Sequence, residues 1–137
     1  MKVGDDLRQD VLTNQAFRLF ERSWWSRNLD LKMSPYNCIA TGISARGRGV
    51  GLIEVVMKAE TTSRIHWEFG GRFGALQSDT LCQYLETHNI GPAYQTAVSN
   101  FLQSCAGYCV ASFVLGIGDR HNGNIMVKQD GHLFRKS

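Results

Sequence analysis

A long apolar helical pattern that empties into a short polar loop constrains this chain more than any other feature. From Pro92 to Leu115, Tyr94, Ala97, Val98, Phe101, Leu102 and Cys105 recur on one side at helical spacing, and the pattern then turns apolar all round. That is the signature of a helix at the centre of a domain. The apolar run from Cys105 to Ile117 is 13 residues with one serine, against roughly 20 for a bilayer span, so it predicts a buried helix. Next come Gly118-Asp-Arg-His-Asn-Gly-Asn124 and a second apolar anchor, Ile125-Met-Val127. Glycines at 116, 118 and 123 permit a sharp turn between the anchors. Loops gripped at both ends by packed elements are where reactive groups are presented.

Asp119 and Asn124 lie five apart, the separation of the kinase catalytic loop His-Arg-Asp-x-x-x-x-Asn, although here the first letters run Asp-Arg-His. In that loop the acid handles the attacking hydroxyl and the amide oxygen holds magnesium. The plain alternative is a polar β-turn whose Asp and Asn bond their own backbone.

With 137 residues, 43% hydrophobic and 20% charged, the chain has the composition of a soluble globular protein of one domain or two small lobes. A net charge of +3 suits an anionic ligand or membrane surface and requires neither. Cys38, Cys82, Cys105 and Cys109 lack zinc-site pairing with histidine and are expected to be buried, reduced thiols. No cationic-then-apolar leader opens the chain, so the expectation is a cytoplasmic protein.

Along the chain, Asp5 and Asp6 can cap a helix with the apolar face Leu12, Ala16, Leu19, Phe20 and Trp24, ending near Asn28. Strands are expected at 31–33, 36–41 and 51–56. The glycine-rich stretch Gly42 to Gly51 leads into a strand and not a helix, so it reads as a hairpin loop, not a phosphate cradle. A polar connector over 57–63 and irregular chain over 67–75 precede a helix at 78–86. After the polar loop, Asp130-Gly131 predicts a hairpin joining 124–127 to 132–134.

Four stretches together resemble the catalytic domain of phosphoinositide 3-kinases, most closely class I catalytic subunits. They are Lys2-Val-Gly-Asp-Asp-Leu-Arg-Gln-Asp10, Leu29-Asp-Leu-Lys-Met-Ser-Pro-Tyr36, Gly51-Leu-Ile-Glu-Val-Val56 and Ser104-Cys-Ala-Gly-Tyr-Cys through to Val127. The resemblance implies an α+β, incomplete two-lobed protein-kinase-like fold, with a partial N-lobe and hinge over 1–56 and a partial C-lobe over 57–137. It implies ATP and Mg2+ as cofactors, a phosphoinositide lipid at a membrane surface and a regulatory subunit as partners, peripheral membrane recruitment and no nucleic acid. By matching position, Lys2 would contact ATP phosphates, with Asp10 as its acidic neighbour. Tyr36 would line the nucleotide pocket, Glu54, Val55 and Val56 would form the adenine-binding hinge, and Met126 would lie under the base. Asp119, Arg120 and His121 would form the catalytic stretch, and Asn124 would be a magnesium ligand. Whether Asp119 or His121 takes the proton stays open.

The family pattern also has a phosphate-gripping loop ahead of the lysine and His-Ile-Asp-Phe-Gly after the phenylalanine. This chain opens Met1-Lys2 and closes Phe134-Arg-Lys-Ser137. The expectation is a portion of a lipid kinase, inactive alone. The alternatives are a truncated interaction isoform or a phosphatidylinositol 4-kinase.

Overall fold

A computed structural model of the chain describes residues 7–45, 48–71, 79–118 and 123–136, with the backbone alone at 2–3. The fold is α+β, with four helices and two small antiparallel sheets among the described residues. The chain divides into two compact units, one formed by 1–29 and 35–56 and the other by 30–34 and 57–137.

The first unit contains β1 (Lys2–Val3), α1 (Arg8–Trp25), β2 (Cys38–Ile43) and β3 (Gly49–Ile53). Its strands order β1-β3-β2, with a bulge between Ala40 and Gly42. The glycine-rich stretch is a hairpin loop, as its strand-like continuation demands. The face that α1 buries differs from the apolar pattern. Leu12 and Leu19 are 67% and 65% exposed, whereas Asp10, Asn14 and Phe17 are buried, as is Leu7 just ahead of the helix. These four recur at helical spacing, but two are polar, and a search for apolar periodicity passes over them. Asn14 satisfies its amide by donating from Nδ2 to the Asp10 carbonyl at 3.0 Å and to Cys38 Sγ at 3.7 Å. Asp5 and Asp6, the expected caps, lie outside the described residues.

Residues 31–33 are not a strand. The Asp30 carboxylate accepts the Lys32 N–H at 2.9 Å, and Lys32 sits at φ +51°. That is an Asx-type turn, which competes with a sheet ladder.

In the second unit, β4 (Ala59–Thr61), α2 (Thr62–Gly70), α3 (Thr80–His88), α4 (Pro92–Val114), β5 (Ile125–Lys128) and β6 (Leu133–Arg135) follow in order. The sheet orders β4-β5-β6. The supposed polar connector is in fact β4 plus a helix N-cap: Thr61 Oγ1 accepts the Arg64 N–H at 3.2 Å. Thr62, Ile65 and Phe69 supply one inward face of α2, while Arg64 and Glu68 pair across one turn at 2.8 Å on the outside. The core joins Ile65, Tyr84, Leu85, Ala97 and Val127, with the Phe69 ring edge-on to Tyr84 at 5.9 Å.

α4 organises this unit through small residues. Gly131 meets Ala97, Ser104 Oγ accepts the Leu133 N–H at 2.9 Å, and Met33 crosses Gly107. Its C-terminal third is not enclosed among the described residues: Val110, Phe113 and Val114 are exposed, Phe113 by 79%. The buried stripe is Ala97, Ser104, Gly107, Tyr108, Ala111 and Ser112, a single face and not the all-round burial that the apolar run suggests. The thiols are free, but Cys82 and Cys109 are exposed and Cys38 and Cys105 only partly covered, so they are not core residues.

Candidate functional site

The polar loop is launched by a well-defined helix end. Beyond Val114 the Gly116 N–H donates to the Phe113 carbonyl at 3.1 Å and the Ile117 N–H to the Ser112 carbonyl at 2.9 Å. This pair of bonds is a Schellman closure, and its left-handed position is Gly116 at φ +66°. The helix thus stops at a fixed place, and the chain leaves toward Asp119. Asp119, Arg120 and His121 themselves lie outside the described residues.

The far side of the loop is equally anchored. The Asn124 carbonyl accepts the Lys136 N–H at 2.8 Å, and β5 begins at the next residue, paired with β6 through Ile125↔Arg135 and Met126↔Phe134. Asn124 and Met126 are both half-buried. The hairpin is clamped from outside the sheet: Asn89 Nδ2 donates to the Gln129 carbonyl at 2.7 Å and Asn100 Nδ2 to the Asp130 carbonyl at 3.0 Å. Burial pushes Asp130 up, but hydrogen bonds from the His132 ring and backbone outweigh it and hold the carboxyl below its usual range. Position 124 is therefore anchored through its carbonyl to the clamped hairpin.

In the first unit, Lys2 pairs through its backbone with Gly51 in the centre strand; its side chain is not described. Asp10 is buried on α1, and Tyr36 is buried to 4% exposure just ahead of β2. The end of β3 is held by groups that sequence reasoning missed. Glu54 Oε2 accepts both the Asn37 N–H at 2.8 Å and Asn37 Nδ2 at 2.7 Å, while the Glu54 N–H donates to the Asn37 carbonyl at 2.8 Å. The Arg18 guanidinium on α1 donates to Asn37 Oδ1 at 2.5 Å. This knot spans positions 17 and 19 apart in sequence, and nothing local marks it. The Glu54 N–H is taken, which leaves the Glu54 carbonyl and the backbone groups of Val55 and Val56 at the expected hinge. Neither makes a backbone hydrogen bond among the described residues, and Val55 is 78% exposed.

Among the described residues no group of three or more His, Cys, Asp or Glu could hold a metal ion. Asn124 fits a subsidiary role: an amide oxygen is a hard donor, and magnesium keeps waters and substrate phosphates for most of its shell. No described helix is long and apolar enough to cross a membrane.

The family model described as phosphatidylinositol 3- and 4-kinase matches residues 1–135. Over 134 residues, 97% of this chain, it is 55% identical to phosphatidylinositol 3-kinase 3 of Dictyostelium discoideum. Over 135 residues it is 52% identical to phosphatidylinositol 3-kinase 1 of the same organism. Identity over 134 residues to human phosphatidylinositol 4-phosphate 3-kinase C2 domain-containing subunit beta is 46%. The chain spans about 8% of the length of each of these relatives. On the match to residues 1–135 and these identities, the chain belongs to the phosphatidylinositol 3- and 4-kinase family.

Proposed function

We propose that this chain supplies the hinge and catalytic-loop portion of a phosphoinositide 3-kinase, which transfers the γ-phosphate of ATP to the 3-hydroxyl of a phosphatidylinositol headgroup. The observation that carries the reading is identity of 46 to 55% with proteins named as 3-kinases, over 97% of the chain. The loop chemistry supports it: an acid, a guanidinium, an imidazole and an amide stand between two anchored apolar runs.

Phosphoryl transfer needs positioning and charge stabilisation more than covalent chemistry from the protein. In the first unit, the backbone C=O of Glu54 and the N–H and C=O of Val55 and Val56 would bond the adenine edge. Tyr36 shapes the apolar wall, and Lys2 meets phosphate oxygens with Asp10 near it. The Arg18–Asn37–Glu54 knot keeps the strand end from drifting, so those backbone groups are presented in one place. In the second unit, Met126 would lie under the base and Asn124 would offer its amide oxygen to magnesium. Asp119 or His121 accepts the proton as the inositol hydroxyl attacks, the acid otherwise orienting the imidazole. Magnesium, when bound with ATP, supplies neutralisation of the phosphate charge.

The reaction takes place at a membrane surface because the substrate is a lipid, and the net charge of +3 favours an anionic one. A regulatory subunit belongs to the same proposal. The test is a chimera in which these residues replace the matching segment of the Dictyostelium phosphatidylinositol 3-kinase 3. Expected is phosphate transfer to phosphatidylinositol vesicles with the product labelled at the 3-position. Label at the 4-position, or a folded chimera without transfer, overturns the reading.

A further inference from the structure

The four thiols have different neighbours. Cys38 Sγ accepts from Asn14 Nδ2 at 3.7 Å, and Cys82 on α3 accepts from the Tyr94 hydroxyl on α4. Cys105 and Cys109, both on α4, meet each other: the Cys105 thiol donates to Cys109 Sγ. Residues four apart lie one above the other on a single helix face. Cys105 is half-buried and Cys109 exposed, so the pair opens to solvent on the Cys109 side. Burial pushes the Cys105 thiol up, and the charge and hydrogen bond of Cys109 push it further, which holds that sulfur in its neutral form until something replaces the proton. The helix around them offers no ionic competitor, because Pro92–Val114 contains no Asp, Glu, Lys, Arg or His.

Distances decide what two thiols at this spacing can do. A disulfide needs Cβ atoms about 3.5–4.5 Å apart, and side chains one helical turn apart hold theirs at about 5–6 Å. Closing an S–S bond would therefore distort the middle of α4, where Gly107, Tyr108 and Ala111 are buried. Bridging an ion needs no such change: metal–sulfur bonds of about 2.3 Å let two sulfurs on one ion stand up to about 4.6 Å apart. Structural zinc sites and iron–sulfur clusters take four protein donors, and among the described residues no group of even three His, Cys, Asp or Glu could hold a metal. A soft monovalent ion is satisfied by two thiolates, and thiolate is a donor that selects copper(I).

We propose that Cys105 and Cys109 form a two-coordinate dithiolate site for a soft monovalent cation, copper(I). Each sulfur gives up its proton and donates one electron pair, so one copper(I) ion and two thiols become a bis-thiolate anion and two protons. No oxidation state changes. The ion enters from the Cys109 side and ties one turn of α4 to the next, ahead of the Ser112–Gly116 closure that launches the polar loop. None of the residues assigned to nucleotide, magnesium or lipid takes part, so this proposal stands or falls separately from the kinase reading.

The test is competition for copper(I), without oxygen, between the 137-residue chain and the chromogenic chelator bathocuproine disulfonate. The chain carries Cys38→Ser and Cys82→Ser throughout, which leaves the pair as its only thiols. Expected is one copper(I) per chain with release of two protons. Cys109→Ser, at an exposed position, should weaken binding by about 10²–10⁴, the advantage of two linked donors over one, with far-UV circular dichroism unchanged. Cys109→Ser combined with Val110→Cys should not recover it, because position 110, although exposed, lies about 140° round the helix from Cys105. Absence of copper(I) binding, a Cys109→Ser loss below about fivefold, or full recovery by the displaced thiol overturns the proposal. So does a Cys105–Cys109 disulfide, found by mass spectrometry after mild oxidation with helix content intact, which would make the pair a redox couple.

Discussion

Substituting Gly131 by alanine should destabilise the second unit more than any other glycine-to-alanine change at an open turn. Gly131 sits at φ +93°, and a Cβ built there would lie 1.9 Å from the Ala97 carbonyl oxygen and 2.6 Å from its carbon. Both are backbone atoms in the interior of α4, so no side-chain rotation relieves the overlap. The hairpin cannot simply lift away, because Asn89, Asn100 and Ser104 hold Gln129, Asp130 and Leu133 down. Positive φ costs a non-glycine residue about 1–2 kcal/mol, and forced overpacking adds about 1–3 kcal/mol, giving roughly 2–5 kcal/mol in all. Gly116→Ala is the matched control: φ is +66°, yet nothing lies within 4 Å of the added Cβ, so only the conformational cost of about 1–2 kcal/mol applies. Urea denaturation followed by circular dichroism reads both. If Gly131→Ala loses no more than Gly116→Ala, the close approach of hairpin and helix is wrong.

Ser104→Ala removes the acceptor of the buried Leu133 N–H and should cost about 1–3 kcal/mol in the same assay; a loss below about 0.5 kcal/mol, the usual size of a surface change, would remove that bond from the account. Tyr84 is pushed up to about 12, first by burial and then by Glu60, Asp130 and Glu68. Its neutral form is the one the fold prefers, so this stability is complete below the ordinary tyrosine value near 10 and drains away as pH rises toward 12. Tyrosinate absorbance and stability measured between those limits should show a late-ionising residue that Tyr84→Phe removes; identical profiles would contradict it. Asn37→Ala removes one hydrogen bond from the Glu54 carboxylate and one from the Arg18 guanidinium together. It should speed amide exchange at Val55 and Val56 with little change in global stability, and unchanged exchange would detach the knot from the hinge.

The flanks of the polar loop were legible because their signals are local. Pro92 opens α4, Gly116 closes it, and Asp130-Gly131 turns the final hairpin, each through the conformational limits of one or two residues. The hairpin that joins β2 to β3 was readable for the same reason. What stayed hidden depended on distant groups. The inward face of α1 carries Asp10 and Asn14, and only their burial in the folded unit reveals which way the helix turns. α2 was obscured because Thr61 serves as its cap while Thr62 and Ile65, both β-branched, supply its buried face. The exposed end of α4 shows the converse limit: hydrophobicity in the sequence states what could be buried, not what covers it.

The central claim, that the 115–127 loop is a lipid-kinase catalytic loop, is tested most directly by Asp119→Asn in the chimera with Dictyostelium phosphatidylinositol 3-kinase 3. Removing a positioned acid–base group costs about 10²–10⁴ in rate. The account predicts loss of 3-phosphate formation on that scale with ATP binding and folding retained. Turnover within a few-fold of the parent chimera would contradict it.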